Sequence, residues 1–472
     1  LAESWEIIDS NTVVWHIRKG INWQDKDPVF GRRFDAHDVE YGIKRQWNML
    51  PDVPRPRAYM ALTSQPGWEE VYATDDWTVV TKAPPGYLSF LTERMISLCN
   101  IIPREVDDVY GGMREWRNVV GTGPYILTDY VPQSTATLTK NPNYWRNDPL
   151  HPENRLPYID TVVFYMIPDW STKLAAMRTG KLDFMKDLVW DDAESLMKTN
   201  PELGHLAYLQ NNWCFQMRID KPELPWYDKN VRVALHMGTD LQEISDSVYG
   251  GHAEIHCQPV RPTKEFMHLY IPIEELPENI REHYVYNPEK AKQMLAEAGY
   301  PDGFSCKILT YDKYVDGLSV LQDQWTKIGV DLEIEVKEYS VYNSIFTGKT
   351  HEQAVARSCT TVNPYFVLDY RQPNIHNIAM IDDPYIYEAF AKMSEYSLTD
   401  PAKKDEIYNE FQLYVLDNCY HIQAPCPENY SFWQPWLKGT EGAWSVGYNK
   451  REGYGIFAWI DQDLKEELTG KR

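Results

Sequence analysis

A chain of 472 residues is too long for one simple core, so two or three lobes are expected. Its formal net charge of −22 argues against nucleic acid or an anionic membrane surface as partner, and it suits a well-solvated secreted protein. No apolar run is long enough to form a membrane-spanning helix, which needs roughly 18 or more residues.

From the amino end, Thr12–Ile17 reads as a strand leading to a turn at Lys19-Gly20. Asp35 is placed to cap a helix whose apolar stripe is Val39, Ile43 and Trp47, with Asp38 near its positive end and Pro51 as its stop. Trp77–Thr81 is a second strand, and Tyr87–Leu91 a short helix after Pro84-Pro85-Gly86.

The stretch from Gly121 to Trp145 carries the most local information. Gly121-Thr122-Gly123-Pro124 offers a tight, rigid entrance, and Tyr125–Val131 is rich in β-branched and aromatic residues. Pro132-Gln133-Ser134 is a turn, and Thr135–Thr139 alternates as a partner strand should. Asn141-Pro142-Asn143 then forces the chain out of the sheet, with Tyr144-Trp145 as an aromatic latch. Ile159–Ile167 is strongly β-prone. A helix capped by Ser171 follows, with Leu174 and Met177 inward and Gly180 at its close, before a strand at Leu182–Phe184.

The organisation changes around Asn211-Asn212-Trp213. Phe215–Ile219 is a strand, Asp228 opens a helix, and Asp240 caps another that ends at Gly250-Gly251. Asn287-Pro288 is a cap followed by proline at the first helical position, and Gly299 stops that helix. Ser305–Thr310, a helix over Leu318–Ile328 and the alternating Val330–Val336 form a strand-helix-strand unit, which favours a partly parallel sheet. Asp400-Pro401 begins the last long helix, and the tail from Trp433 suits a chain returning to an earlier lobe. Seven cysteines are scattered along the chain, an odd number that leaves one unpaired within a monomer. Cys419 and Cys426 are near enough in sequence to bridge, and buried free thiols fit the pattern equally, so no compartment follows from them.

Gly-Thr-Gly-Pro-Tyr, the hairpin and Asn-Pro-Asn-Tyr-Trp together resemble the signature of the family 5 extracellular solute-binding proteins. These are the oligopeptide, dipeptide and nickel receptors of ABC importers. Further matches lie in order along nearly the whole chain: the Ala2-Glu3-Ser4-Trp5 opening, the helix entered at Asp38-Val39, the Asp228-to-Ala234 helix and the strand from Ala354. In that family the opening pattern lies some tens of residues inside the mature protein, so the resemblance implies that a first strand and its loop are missing here. It also implies an α/β fold of type II binding-protein form, with mixed sheets flanked by helices and a hinge between two lobes that close on a solute. The corresponding divisions are 1–118 as an extra subdomain of lobe I, 119–210 as its core, 211–430 as lobe II and 431–472 as the return to lobe I. An extracytoplasmic location (periplasm, or a lipoprotein at the cell surface), an ABC permease as membrane partner and a monomeric state are implied as well, with no cofactor.

The chemistry of catalysis is not visible. There is no Gly-x-Ser-x-Gly elbow, no phosphate-cradling loop and no His-Glu-x-x-His. His252, His256 and Cys257 have half the makings of a metal site, but Gly250-Gly251 and Pro259 make that segment a loop, and no metal is expected. Paired carboxylates such as Asp107-Asp108 and Asp191-Asp192 belong on solvated faces.

For the ligand, the resemblance points to the strand Ala354–Ser358 and the loop after it. Peptide receptors of the family carry an Asp-Tyr pair there, shortly before an acidic-Pro pair, and that Asp holds the peptide α-ammonium. This chain departs from the pattern. Matching Asn363-Pro364 to the acidic-Pro pair puts Thr360 at the anchor position, counting from Arg357 puts Asn363 there, and only an insertion lets Asp369-Tyr370 fill it. Arg357, Thr360, Thr361, Asn363, Tyr365, Asp369 and Tyr370 are therefore candidate ligand contacts, joined by Lys186, Trp190 and Trp213, which lie where the family lines its cleft. The expected ligand is an oligopeptide or a solute of similar size. Two of the three placements lack a carboxylate, which keeps an oligosaccharide as the alternative, read by amides and stacked on aromatic faces. A hydrolase on a two-lobed scaffold is the remote alternative.

Overall fold

A computed structural model describes residues 1–53, 66–359, 365, 367, 369–371, 376–397, 399–440, 442, 445–446 and 452–471. The chain divides into two compact units. Unit 1 comprises Leu1–Leu188, Asp192–Leu206 and Tyr430–Arg472, and unit 2 comprises Val189–Asp191 and Ala207–Asn429.

In unit 1, β1 (Ala2–Asp9), β2 (Thr12–Ile17), β3 (Glu70–Asp75) and β4 (Thr78–Lys82) form an antiparallel sheet in the order β1-β2-β4-β3. The helix Ala36–Gln46 packs against it. Asp35 caps this helix as expected, and Asp38 closes the capping box by accepting the Asp35 backbone N–H. Asp38 also accepts from the Trp23 indole at 3.0 Å and pairs with Arg32 at 2.7 Å. The expected short helix at Tyr87 runs on from Leu88 to Leu98, because nothing in that apolar stretch breaks it.

The hairpin is built from β5 (Tyr125–Val131) and β6 (Thr135–Lys140), with β7 (Thr161–Tyr165) on the far side of β6. Its entrance is held by Gln24, whose side chain donates to Tyr125 O at 2.8 Å and accepts from Gly121 N at 3.2 Å. Asn141 closes the exit: its amide donates to Gly123 O at 3.0 Å while its oxygen accepts from Asn143 N. Neither Gly121 nor Gly123 takes a positive φ, so the tight path at the entrance does not depend on left-handed backbone. Asp169, not Ser171, caps the next helix, Trp170–Arg178: its carboxylate accepts from Thr172 N at 2.7 Å, whereas Ser171 already lies inside the first turn. The strand expected at Leu182–Phe184 begins only at the last of those residues and forms β8 (Phe184–Leu188), its start two positions later than expected. The chain passes into unit 2 within β9 (Gly204–Leu209).

Unit 2 is organised on a five-stranded sheet of β10 (Trp213–Met217), β12 (Phe304–Thr310), β13 (Val330–Val336), β14 (Ala354–Ser358) and β15 (His421–Gln423), in the order β13-β12-β14-β10-β15; β11 (Ala253–Glu254) lies outside this sheet. β12 runs parallel to both β13 and β14, whereas β10 is antiparallel to β14 and β15. Alternation splits the sheet residues between two cores. Ile308, Ala354 and Ala356 pack with Leu318, Leu321 and Trp325 of the helix Val315–Thr326. Leu309 and Val355 pack on the other side with Tyr342 of the helix Tyr339–Thr347. Gly303 and Gly329 let the backbones entering β12 and β13 touch, since a Cβ on Gly303 would stand 1.7 Å from Gly329 O. After β15, β16 (Cys426–Trp433) pairs Cys426 with Glu254 and Pro427 with Ala253 before the chain re-enters unit 1. There its later residues pair with β8, and Gln434 and Trp436 donate to Met177 O and to the Asp183 carboxylate at 2.7 and 2.6 Å.

Candidate functional site

In an open sheet with parallel strands, a crevice forms beyond the carboxyl ends where successive connections leave in opposite directions. In unit 2 that point is between β12 and β14. The helix after β12 covers one face on its way to β13, and the helix after β13 covers the other face on its way past β12 to β14.

The residues at those carboxyl ends form an aromatic group around one guanidinium. Tyr311, directly after β12, has its ring within 5.1 Å of Tyr314, 5.1 Å of Tyr339 and 4.9 Å of Tyr342. Tyr342 is fixed by donating its O–H to Ala356 O at 2.8 Å. Burial raises the pKa of the Tyr314, Tyr342 and Tyr370 phenols, so each stays a neutral hydroxyl. Arg357, near the end of β14, lies over the Phe346 ring at 5.6 Å. It donates to His376 O at 2.7 Å and to His376 Nδ1 at 3.0 Å, and meets the Asp369 carboxylate at 3.4 Å. Since guanidinium can only donate, Nδ1 of His376 is the acceptor in this contact.

A covalent clamp holds the carboxyl end of β14. A disulfide joins Cys214 of β10 to Cys359, directly after β14, with Cα atoms 5.8 Å apart. Cys359 N also donates to Asn212 O at 3.1 Å. The pairing of Cys419 with Cys426 does not form: Cys419 Sγ lies on His283 Nδ1 at 3.4 Å, and Cys426 Sγ donates to Gln210 O. Their short separation in sequence is defeated by β15, which carries the two residues to different neighbours.

Of the sequence-derived candidates, Arg357 and Asp369 are brought into contact, and Tyr370 follows directly, buried against His421 and Phe411 at 5.0 and 5.7 Å. Tyr365 packs elsewhere: its hydroxyl donates to Asp405 at 2.5 Å and Lys404 Nζ stands 3.8 Å from its ring. Trp190 stacks on His252 at 5.2 Å, over Gly250. Trp213 is 3% exposed and belongs to the main core of unit 2, and Lys186 is an exposed side chain of unit 1 beside Asp187. Thr360, Thr361 and Asn363 lie outside the described residues. His252 and His256 face different surroundings, the latter packed against Tyr270 and Tyr284. Tyr311, Tyr339, Tyr342, Phe346 and His376 were not among the candidates. The strand-helix-strand unit ending at Val336 was a signal for Tyr311, because ligands collect beyond the carboxyl ends of such strands.

Comparison with known proteins agrees with this architecture. The chain is 27% identical over 369 residues to heme-binding protein A of Haemophilus influenzae, covering 72% of this chain and 62% of that protein. It is 26% identical over 373 residues to the dipeptide-binding protein of Escherichia coli K12, covering 72% and 64% respectively. The chain thus spans less than two thirds of the length of either relative. The oligopeptide-binding protein AppA of Bacillus subtilis, solved with a nonapeptide, superposes with a TM-score of 0.76 at 20% identity over 98% of this chain and 89% of that one, which establishes the shared fold. The model of the bacterial extracellular solute-binding proteins, family 5, matches residues 1–369, and the chain belongs to that family.

Proposed function

We propose that this chain is an extracytoplasmic receptor that binds a peptide-class solute and delivers it to the permease of an ABC importer. The observation that carries the reading is the group at the carboxyl ends of β12 and β14: neutral tyrosine hydroxyls, aromatic faces and one buried guanidinium, in a family whose relatives are named for the small molecules they bind. Such a group suits a ligand of amides and side chains, held by hydrogen bonds and desolvated apolar contact. The relatives are named for binding and not for turnover, and no catalytic role is assigned to any residue.

Within this reading Asp369 is not a free anchor for an ammonium group, because Arg357 already stands at its carboxylate. We assign recognition chiefly to the peptide backbone and to aromatic contact, with Arg357, engaged by Asp369 and His376, holding the end of β14 and Asp369 in place beside the aromatic group. The finer division of unit 1 at residue 118, the monomeric state and the absence of a cofactor belong to the same proposal. A thermal-shift screen of the intact chain against dipeptides, longer peptides, glutathione, heme and oligosaccharides tests it, since a ligand present at 100 times its Kd stabilises by about 2.7 kcal/mol. The expected result is a rise in melting temperature with peptides; a rise confined to oligosaccharides or to heme would replace the peptide assignment.

A further inference from the structure

Two further cysteines of unit 2 meet in the fold. The pairing of Glu254 with Cys426 across β11 and β16 brings the first residue of β16 alongside the segment that follows β11. Cys257, three residues on, turns its Sγ back toward Glu254 O at 3.7 Å, the oxygen of the residue that Cys426 faces across the ladder. Cys257 and Cys426 are 1% and 0% exposed, so the pair is an internal feature of unit 2. The other free thiols lie elsewhere: Cys419 on His283, Cys306 within β12 and Cys99 in unit 1.

We propose that Cys257 and Cys426 are oxidised to a second disulfide, which ties the segment after β11 to the start of β16. The proposal rests on the extracytoplasmic reading, because an oxidising compartment supplies the protein disulfide that acts as oxidant. The Cys426 thiolate attacks one sulfur of that oxidant, giving a mixed disulfide and releasing one oxidant thiol. The Cys257 thiolate then attacks the Cys426 sulfur and releases the second. The chain loses two electrons and two protons, and the oxidant leaves as a dithiol. Burial places the reaction during folding, before the core closes.

The location gives the bridge a role at the site. Gln258, next to Cys257, donates to the Asn212 side chain at 3.2 Å, and Asn212 donates to Ala424 O at 2.8 Å while its own carbonyl accepts from Cys359 N. The two disulfides would therefore be joined through Asn212 and would together fix the backbone at the carboxyl end of β14.

The intact chain, refolded with oxidised and reduced glutathione, is denatured without reductant, alkylated and digested for peptide mass mapping. The expected result is a Cys257–Cys426 linked peptide that disappears on reduction, with three alkylated thiols (Cys99, Cys306 and Cys419) in place of five. A Cys257→Ser/Cys426→Ser double variant is expected to keep the Cys214–Cys359 linked peptide and to lose the difference in melting temperature that the second bridge confers. Alkylation of both Cys257 and Cys426 beside an intact Cys214–Cys359 bridge would overturn the proposal and leave the receptor reading standing. Loss of both bridges in protein exported from cells would overturn the proposal and the extracytoplasmic reading together.

Discussion

Arg357 is held from three directions, by His376, Asp369 and the face of Phe346. Replacing it with alanine takes the cation away from a carboxylate only 3% exposed, and breaking a buried pair from one side costs roughly 3–5 kcal/mol. Arg357→Ala is therefore expected to lower the urea midpoint markedly and to weaken peptide binding by at least about tenfold, the equivalent of about 1.4 kcal/mol. Arg357→Lys keeps the charge, loses the planar fork and should fall between. An Arg357→Ala variant with wild-type stability and affinity would show that the guanidinium is incidental. At this scale the family resemblance singled out Arg357 and Asp369, which the fold brings into contact, and was silent about their neighbours. His376 reaches Arg357 from 19 residues along the chain, and no local pattern announces such a contact. Trp213 illustrates the opposite failure: a tryptophan at a change of organisation is an attractive ligand wall, yet it is core, packed so closely that a Cβ on Gly317 would meet its ring at 2.8 Å.

Among the elements, β12 and β13 depend on the backbone contact between Gly303 and Gly329, both at positive φ. Gly303→Ala places a methyl where backbone oxygen already is, so the loss should exceed about 2 kcal/mol, whereas Gly299→Ala, at φ +98 with open space around it, bears only the conformational cost of about 1–2 kcal/mol. Equilibrium denaturation of the two variants checks the comparison, and equal losses would contradict the close approach. Element types were readable because the caps and periods are local: Asp35, Asp240, Asn287 and Asp400 each cap the helix that follows. The misplacement of one cap at Ser171 arose because Asp169 and Ser171 are both good caps, and the choice is made by which residue keeps an extended backbone. The helix expected from Leu318 starts at Val315, since its first turn follows directly from the turn at Asp312–Tyr314. The link from Cys214 to Cys359 spans 145 residues and could only be found from the fold.

The whole molecule carries several histidines that fold neutral. Burial lowers the pKa of His236, His256 and His351 to about 4 and that of His421 to about 3. Unfolded, each titrates near 6.5, so between about pH 6.5 and 4 the unfolded chain binds more protons and stability falls as the pH falls. Relief of self-repulsion at a net charge of −22 works the other way, so the comparison belongs at high salt, where that term is screened. The urea midpoint should then be lower at pH 5 than at pH 7.5, and an unchanged or higher midpoint would mean that these side chains do not stay buried and neutral. The central claim is capture of a peptide-class solute without chemical change. Titration calorimetry of the intact chain with the peptide that most raises its melting temperature, followed by mass analysis of the recovered peptide, tests it most directly. Saturable binding at one site with the peptide returned intact is the predicted result; no saturable heat with any peptide, or recovery of cleaved peptide, would contradict it.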